Sequence, residues 1–153
     1  MRALILIPCV FYLPILWAGP IQEVVNLASE SQQAISQDKV YLLYISRLAC
    51  PYCARLEKSV LLPMLNNGDY DGQVELREIS WEGGQVTGFD GRAHRSIEII
   101  NDYAVVGTPT LLFLDNNGEE LTSRLVGYHS EDFYWYYFDE AIESARRKLL
   151  NLP

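Results

Sequence analysis

The chain has 153 residues, 20 acidic side chains against 12 basic ones, and a formal net charge of −8. Neutralising phosphates takes a basic surface, so this balance argues against nucleic acid as a partner. The length suits one domain with an ordinary core, and a total of 3 cysteines is too few for a scaffold stapled by several disulfides.

Met1-Arg2, an apolar run from Ala3 to Ala18, and then Gly19-Pro20 have the charged start, apolar middle and small-residue exit of a secretory signal peptide. The run is shorter than the roughly 20 residues a spanning helix needs, and Pro8 and Pro14 interrupt it. The expected organisation is a signal peptide over 1–18 and one domain over 19–153, exported to the periplasm with no stable membrane insertion after cleavage. Cys9 leaves with the signal, and Pro8 before it does not suit a lipoprotein cleavage site.

The pattern predicts a first amphipathic helix over Ile21–Ile35, with Ile21, Val24 or Val25, Ala28 and Ile35 on one side. Val40-Tyr41-Leu42-Leu43-Tyr44-Ile45 is a continuous apolar run, as expected of a strand buried on both faces. It leads into Cys50-Pro51-Tyr52-Cys53, after which Leu56, Val60 and Met64 recur at the spacing of one helix face.

This context places Cys50 at a helix N-cap and Pro51 at the first helical position, where a missing N–H costs nothing. Free backbone N–H groups and the positive end of the helix dipole favour a thiolate, lowering a thiol pKa from about 8.5 toward or below neutrality. Cys50 is therefore the expected nucleophile. Cys53, one turn further in, is more buried and can attack a mixed disulfide to release the substrate. Tyr52 completes the motif beside Pro51. A zinc site would need about four ligands, and beyond this pair the chain offers only His94, His129 and Cys9, none in a second paired spacing. Copper handling, or a purely structural disulfide, would use the same two thiols; no metal site and no cofactor are assigned.

Pro63 is expected to kink or end the helix. Asn66 to Gly72 reads as a turn, with Asp69 and Asp71 solvated, and the alternating Val74–Ile79 as a second strand, more exposed on one face. Trp81 to Arg92 reads as a glycine-rich loop pinned by Trp81 and Phe89, followed by a short helix from about Ala93 to Tyr103. Leu111-Leu112-Phe113-Leu114 must be a central strand. Asp115-Asn116-Asn117-Gly118 is a hairpin turn, with Glu120–Val126 as an antiparallel partner strand. Ser130 caps a last helix running to about Leu150, whose aromatics Phe133 to Phe138 read as core and sheet cover. His129 reads as a surface turn residue.

This order of elements resembles the thioredoxin fold over essentially the whole of 19–153. Cys50-Pro51-Tyr52-Cys53 looks like the family's redox motif, and Val106-Gly107-Thr108-Pro109-Thr110 looks like its cis-proline loop. The resemblance implies an α/β fold with a central mixed sheet of about four to five strands flanked by helices. It also implies that Thr108 and Pro109 lie beside Cys50 and bind the substrate's main chain. Where thioredoxins carry a buried aspartate, six residues before the first cysteine, this chain has Tyr44. The motifs and the export signal look most like exported bacterial thioredoxins, including those attached to sulfur-oxidation systems. That implies a periplasmic thiol:disulfide oxidoreductase, mainly a reductase, with disulfide-containing periplasmic proteins as substrates and a membrane thiol transporter as electron donor. An oxidase or isomerase, or a redox sensor, is the competing reading.

Overall fold

The computed structural model describes residues 21–151; the expected signal segment 1–18, with Cys9, lies outside the described residues. In chain order the elements are helix α1 (Leu27–Ile35), strand β1 (Val40–Ser46) and helix α2 (Pro51–Leu56), which runs through a π-helical turn (Glu57–Leu61) into helix α3 (Leu62–Asn67). Strands β2 (Val74–Ser80), β3 (Gln85–Thr87) and β4 (Ala93–Arg95) precede helix α4 (Ser96–Asp102). Strands β5 (Thr110–Leu114) and β6 (Leu125–Val126) and helix α5 (Glu131–Leu149) complete the chain.

The main sheet has the order β2-β1-β5-β6. β1 runs parallel to β2 and antiparallel to β5, and β5 runs antiparallel to β6, so the sheet is mixed as expected. Every residue of β1 and β5 is buried, which is why both read as unbroken apolar runs. Alternation along β1 sends Val40, Leu42 and Tyr44 to a core shared with Cys53, Met64 and Phe138, and Tyr41, Leu43 and Ile45 to one shared with Leu27, Ile99 and Ile100. The first core lies under α2, α3 and α5; the second lies under α1 and α4.

Three expectations about element bounds are corrected. Residues 21–26 are extended and lie beside β2: Val24 N–H donates to the Glu78 carbonyl at 2.8 Å, and Glu78 N–H donates to that of Gln22 at 2.8 Å. The helix starts only where the Asn26 side chain accepts the Ser29 N–H, because an N-cap fixes a start more firmly than an apolar stripe does. Ala93–Arg95 is strand rather than helix, pairing with β3 as a small second sheet, and α4 begins at the buried Ser96. The partner of β5 is interrupted: Leu114 bridges Glu120, while Leu111 pairs with Leu125. Two residues on one side thus face four on the other, and Leu121 turns into the core within that bulge.

Pro63 does not end the helix. The widened turn just before it carries the chain through, with Leu62 N–H bonded to the Glu57 carbonyl five residues back. The helix then stops at Gly68, whose φ of 73° is the left-handed cap conformation glycine takes without cost. The four-residue spacing of Leu56, Val60 and Met64, all buried, fits this wider turn better than an ideal helix.

Helix α5 buries Tyr134, Phe138, Ala141, Ile142 and Ala145, the positions that share one helix face. Phe133, Tyr136 and Tyr137 point to solvent, so only part of the aromatic cluster serves as sheet cover. Tyr70 packs edge-on against Phe138 at 5.7 Å and donates its hydroxyl to Asp139, tying the turn after α3 to this helix. Phe89 and Trp81 pack on the second core, and Phe89 closes so tightly on Gly118 that an added Cβ there would meet its ring at 2.8 Å.

Candidate active site

Cys50 sits at the N-cap of α2 with Pro51 in its first turn, and the Cys53 N–H donates to Cys50 Sγ at 3.1 Å. The sulfur thus takes the place a serine or aspartate oxygen holds in an ordinary cap. Cys50 and Cys53 form a disulfide across a Cα–Cα distance of 5.2 Å. Cys50 is half-buried and Cys53 is 3% exposed, so an approaching partner meets the Cys50 sulfur first.

The motif is held from both sides. Ala49, immediately before Cys50, has a φ of 54°, an uncommon conformation for a residue with a Cβ. Glu82 fixes that loop, accepting the Leu48 N–H at 2.9 Å and pairing with Arg47 at 3.7 Å. Across the site, the Thr108–Pro109 peptide bond is cis. The Thr108 hydroxyl donates to Cys50 Sγ at 3.5 Å, and the Thr108 carbonyl oxygen lies 3.8 Å from the same sulfur. Pro109 is buried and its carbonyl accepts the Gly127 N–H at 2.8 Å, which anchors the loop to the far edge of the sheet. The structure therefore brings Cys50, Cys53, Thr108 and Pro109 together. Pro51 and Tyr52 stand exposed at the rim, with the Arg55 guanidinium 5.6 Å above the Tyr52 ring.

Beside the Arg55 guanidinium the rim exposes apolar side chains: Leu48 before the motif, Tyr52 within it and, two residues before Thr108, Val106, 94% exposed. His129 is exposed in the turn before α5, and His94 pairs with Asp90 at 2.9 Å on the β3–β4 sheet. Among the described residues no group of three or more His, Cys, Asp or Glu is placed to hold a metal ion.

Beneath the motif lies a cleft of about 550 Å³ lined by Cys50, Cys53, Glu57 and Glu78 among others. Tyr44 donates its hydroxyl to Glu57 Oε1 at 2.8 Å, and Ser46 donates to Glu78 Oε1. Burial pushes the Glu78 carboxyl above its ordinary value, the Ser46 hydroxyl partly opposes this, and the Glu57 charge adds to the rise. Sequence reasoning missed both acids. Glu57 was within reach of it, four residues after Cys53 and so on the same helix face; Glu78 emerges only once the β1–β2 register sets it opposite Tyr44.

A family model described as a Thioredoxin-like domain matches residues 27–142. The structure is similar to that of "DsbH Oxidoreductase", with a TM-score of 0.57 and 16% identity over 88% of this chain and 92% of that one. It is also similar to thioredoxin O2 from Arabidopsis thaliana in the oxidized state, with a TM-score of 0.50 and 17% identity over 78% of this chain and 94% of that one. At these identities the likenesses speak for the fold alone. A comparison with curated proteins finds no match.

Proposed function

The chain belongs to the thioredoxin-like domain family and is a thiol:disulfide oxidoreductase, and from that premise we propose that it works mainly as a reductase of disulfide-containing proteins in the periplasm. The observation that carries this reading is the unequal burial of two bonded sulfurs at a helix N-terminus: Cys50 reachable, Cys53 3% exposed behind it. Reduced Cys50, favoured as thiolate by the helix end and the Cys53 N–H, attacks a substrate disulfide and expels one substrate thiolate. Cys53 then attacks Cys50 Sγ, forms the enzyme disulfide and releases the second substrate thiolate. Two electrons pass to the substrate, and a donor dithiol must return them.

Thr108 and Pro109 are the proposed substrate-positioning pair, since an extended segment passing Thr108 lies within reach of Cys50 Sγ. The apolar side chains exposed at the rim favour an unfolded or extended polypeptide over a small charged thiol. The helix between β2 and β5 is the short α4, of 7 residues, and not a long helical insertion, which fits a reductase better than an oxidase. Export over residues 1–18, and a membrane thiol transporter as electron donor, complete the proposal; they rest on the sequence of Met1–Ala18 and on the resemblance to exported thioredoxins of the sulfur-oxidation type. Among the described residues no helix is long and apolar enough to cross a membrane.

The reduction potential of the Cys50/Cys53 pair tests the direction. A value near about −270 mV supports reduction, whereas one near about −120 mV makes the protein an oxidant of its partners. Recovery of the chain from periplasmic extracts with Met1–Ala18 removed tests the location.

A further inference from the structure

A buried thiol attacks a disulfide only after losing its proton, and Cys53 is 3% exposed. The position on β1 beneath it is Tyr44, wholly buried and no base: burial and the bond to Glu57 push its phenol far above the ordinary value, so it stays protonated and only donates. The carboxylate it donates to is a base. Glu57 follows Cys53 by one helical turn, and helical side chains lean back over the turn before their own Cα, toward Cys53. Both residues line the same open cleft.

We propose that Glu57 accepts the Cys53 proton in the resolving step, with Tyr44 as the residue that positions its carboxylate through the 2.8 Å hydrogen bond. The inference rests on the two-cysteine reading above. The Cys53 S–H bond breaks and the proton passes across the cleft to Glu57. The Cys53 thiolate forms the bond to Cys50 Sγ, and the bond from Cys50 to the substrate sulfur breaks, that sulfur leaving with the electron pair. The substrate is reduced, the cysteine pair oxidised, and the proton on Glu57 passes to the departing thiolate or to water.

The surroundings suit this role. Glu78 faces the cleft from β2, and Glu23 from the extended segment beside it, so the proton crosses a space lined by carboxyl groups. Arg47 lines the cleft from the loop after β1, its charge engaged by Glu82. Tyr134 approaches Tyr44 from α5 and carries no charge while protonated, burial having raised its phenol.

The test is single-turnover reduction of a fluorescent peptide disulfide by the reduced domain, followed across pH. Glu57→Gln is expected to slow release of the second peptide thiol about a hundredfold or more at neutral pH, the range of general-base effects starting at about that size. Its first step, measured alone in a Cys53→Ser background, should keep the parent rate and so report an intact fold. Glu57→Asp should restore part of the loss, and Tyr44→Phe should slow release severalfold while keeping the pH-dependent limb. Release at the parental rate in Glu57→Gln at every pH would overturn the proposal. So would loss of the limb in Glu78→Gln but not in Glu57→Gln, which would make Glu78 the acceptor. If Cys53→Ser forms no mixed disulfide at all, the two-cysteine reading itself falls, a result distinct from either.

Discussion

The Thr108 hydroxyl reaches Cys50 Sγ at 3.5 Å although the two residues stand 58 positions apart. On a sulfur that becomes a thiolate, that hydroxyl is a donor to a charge, a stronger bond than one to a neutral group. Thr108→Val keeps the shape and removes the donor. The Cys50 thiol should then titrate at higher pH, and mixed-disulfide formation at neutral pH should slow about threefold to tenfold, equivalent to one ordinary hydrogen bond. Ultraviolet absorbance of the thiolate against pH measures it; a titration curve superimposed on the parent's would show that the contact does nothing for the sulfur.

Glu30 is the buckle between α1 and the sheet. One carboxylate oxygen accepts the N–H groups of Val25 and Asn26 at 2.9 and 2.8 Å; the other accepts Arg77 Nε at 2.8 Å and the Tyr41 hydroxyl at 3.4 Å. Arg77 also pairs with Glu75, which raises the guanidinium further against its burial. Glu30→Gln keeps the size but offers one acceptor fewer and no charge, leaving Arg77 half-paired. Urea unfolding should show a loss of about 1–3 kcal/mol, with the slope unchanged.

Glu78 makes stability depend on pH in a direction opposite to that of a salt-bridged acid. Burial, the largest cause, raises its carboxyl in the folded chain above the value of 4.5. Between the unfolded and the folded value, the folded state therefore holds more protons than the unfolded one. Unfolding free energy from this group falls as pH rises through that window and is fully present below it. Glu78→Gln should flatten the fall, so the variant gains on the parent in moving from mildly acid to neutral pH. Thermal melts across that range decide it; a constant difference between the two proteins would contradict the assignment.

Tyr134 is 7% exposed, packs against the Tyr128 ring at 5.3 Å, and its hydroxyl has no hydrogen-bond partner among the described residues. A buried hydroxyl without a partner forfeits its hydration and receives nothing in return. Tyr134→Phe should be neutral or stabilising by up to about 1 kcal/mol, the reverse of the usual cost of altering a buried side chain. A clear fall in the urea midpoint would mean that the hydroxyl is satisfied in solution.

What could be read in advance was whatever local pattern decides. The run Val40–Ile45 and the run Leu111–Leu114 are buried on both faces and look the same in one dimension as in three. Cys50 and Pro51 start a helix by chemistry that needs no tertiary partner. Residues 21–26 went the other way because their backbone found Glu78 and Thr87, a choice that no periodicity records. Ala93–Arg95 is strand only because Gln85–Thr87 lies across from it. The acids under the motif were hidden for the same reason: Tyr44 looked like an absence until Glu57 was found hydrogen-bonded to it and Glu78 opposite it on the next strand.

The turn Glu57–Leu61 and Pro63 have a joint consequence for chain length. In a regular helix the Pro63 ring would press on the carbonyl four residues back, a conflict of about 3 kcal/mol or more. The wide turn opens the helix by one residue at that place. Deleting a single residue from Glu57–Leu61 would make the wide turn a regular one, leaving Cys53 and Met64 in the same relative phase but closing the turn onto the ring. A deletion paired with Pro63→Ala would relieve the ring and leave a regular helix with the cysteines aimed as before, so the wide turn serves the proline and not the aim of the motif.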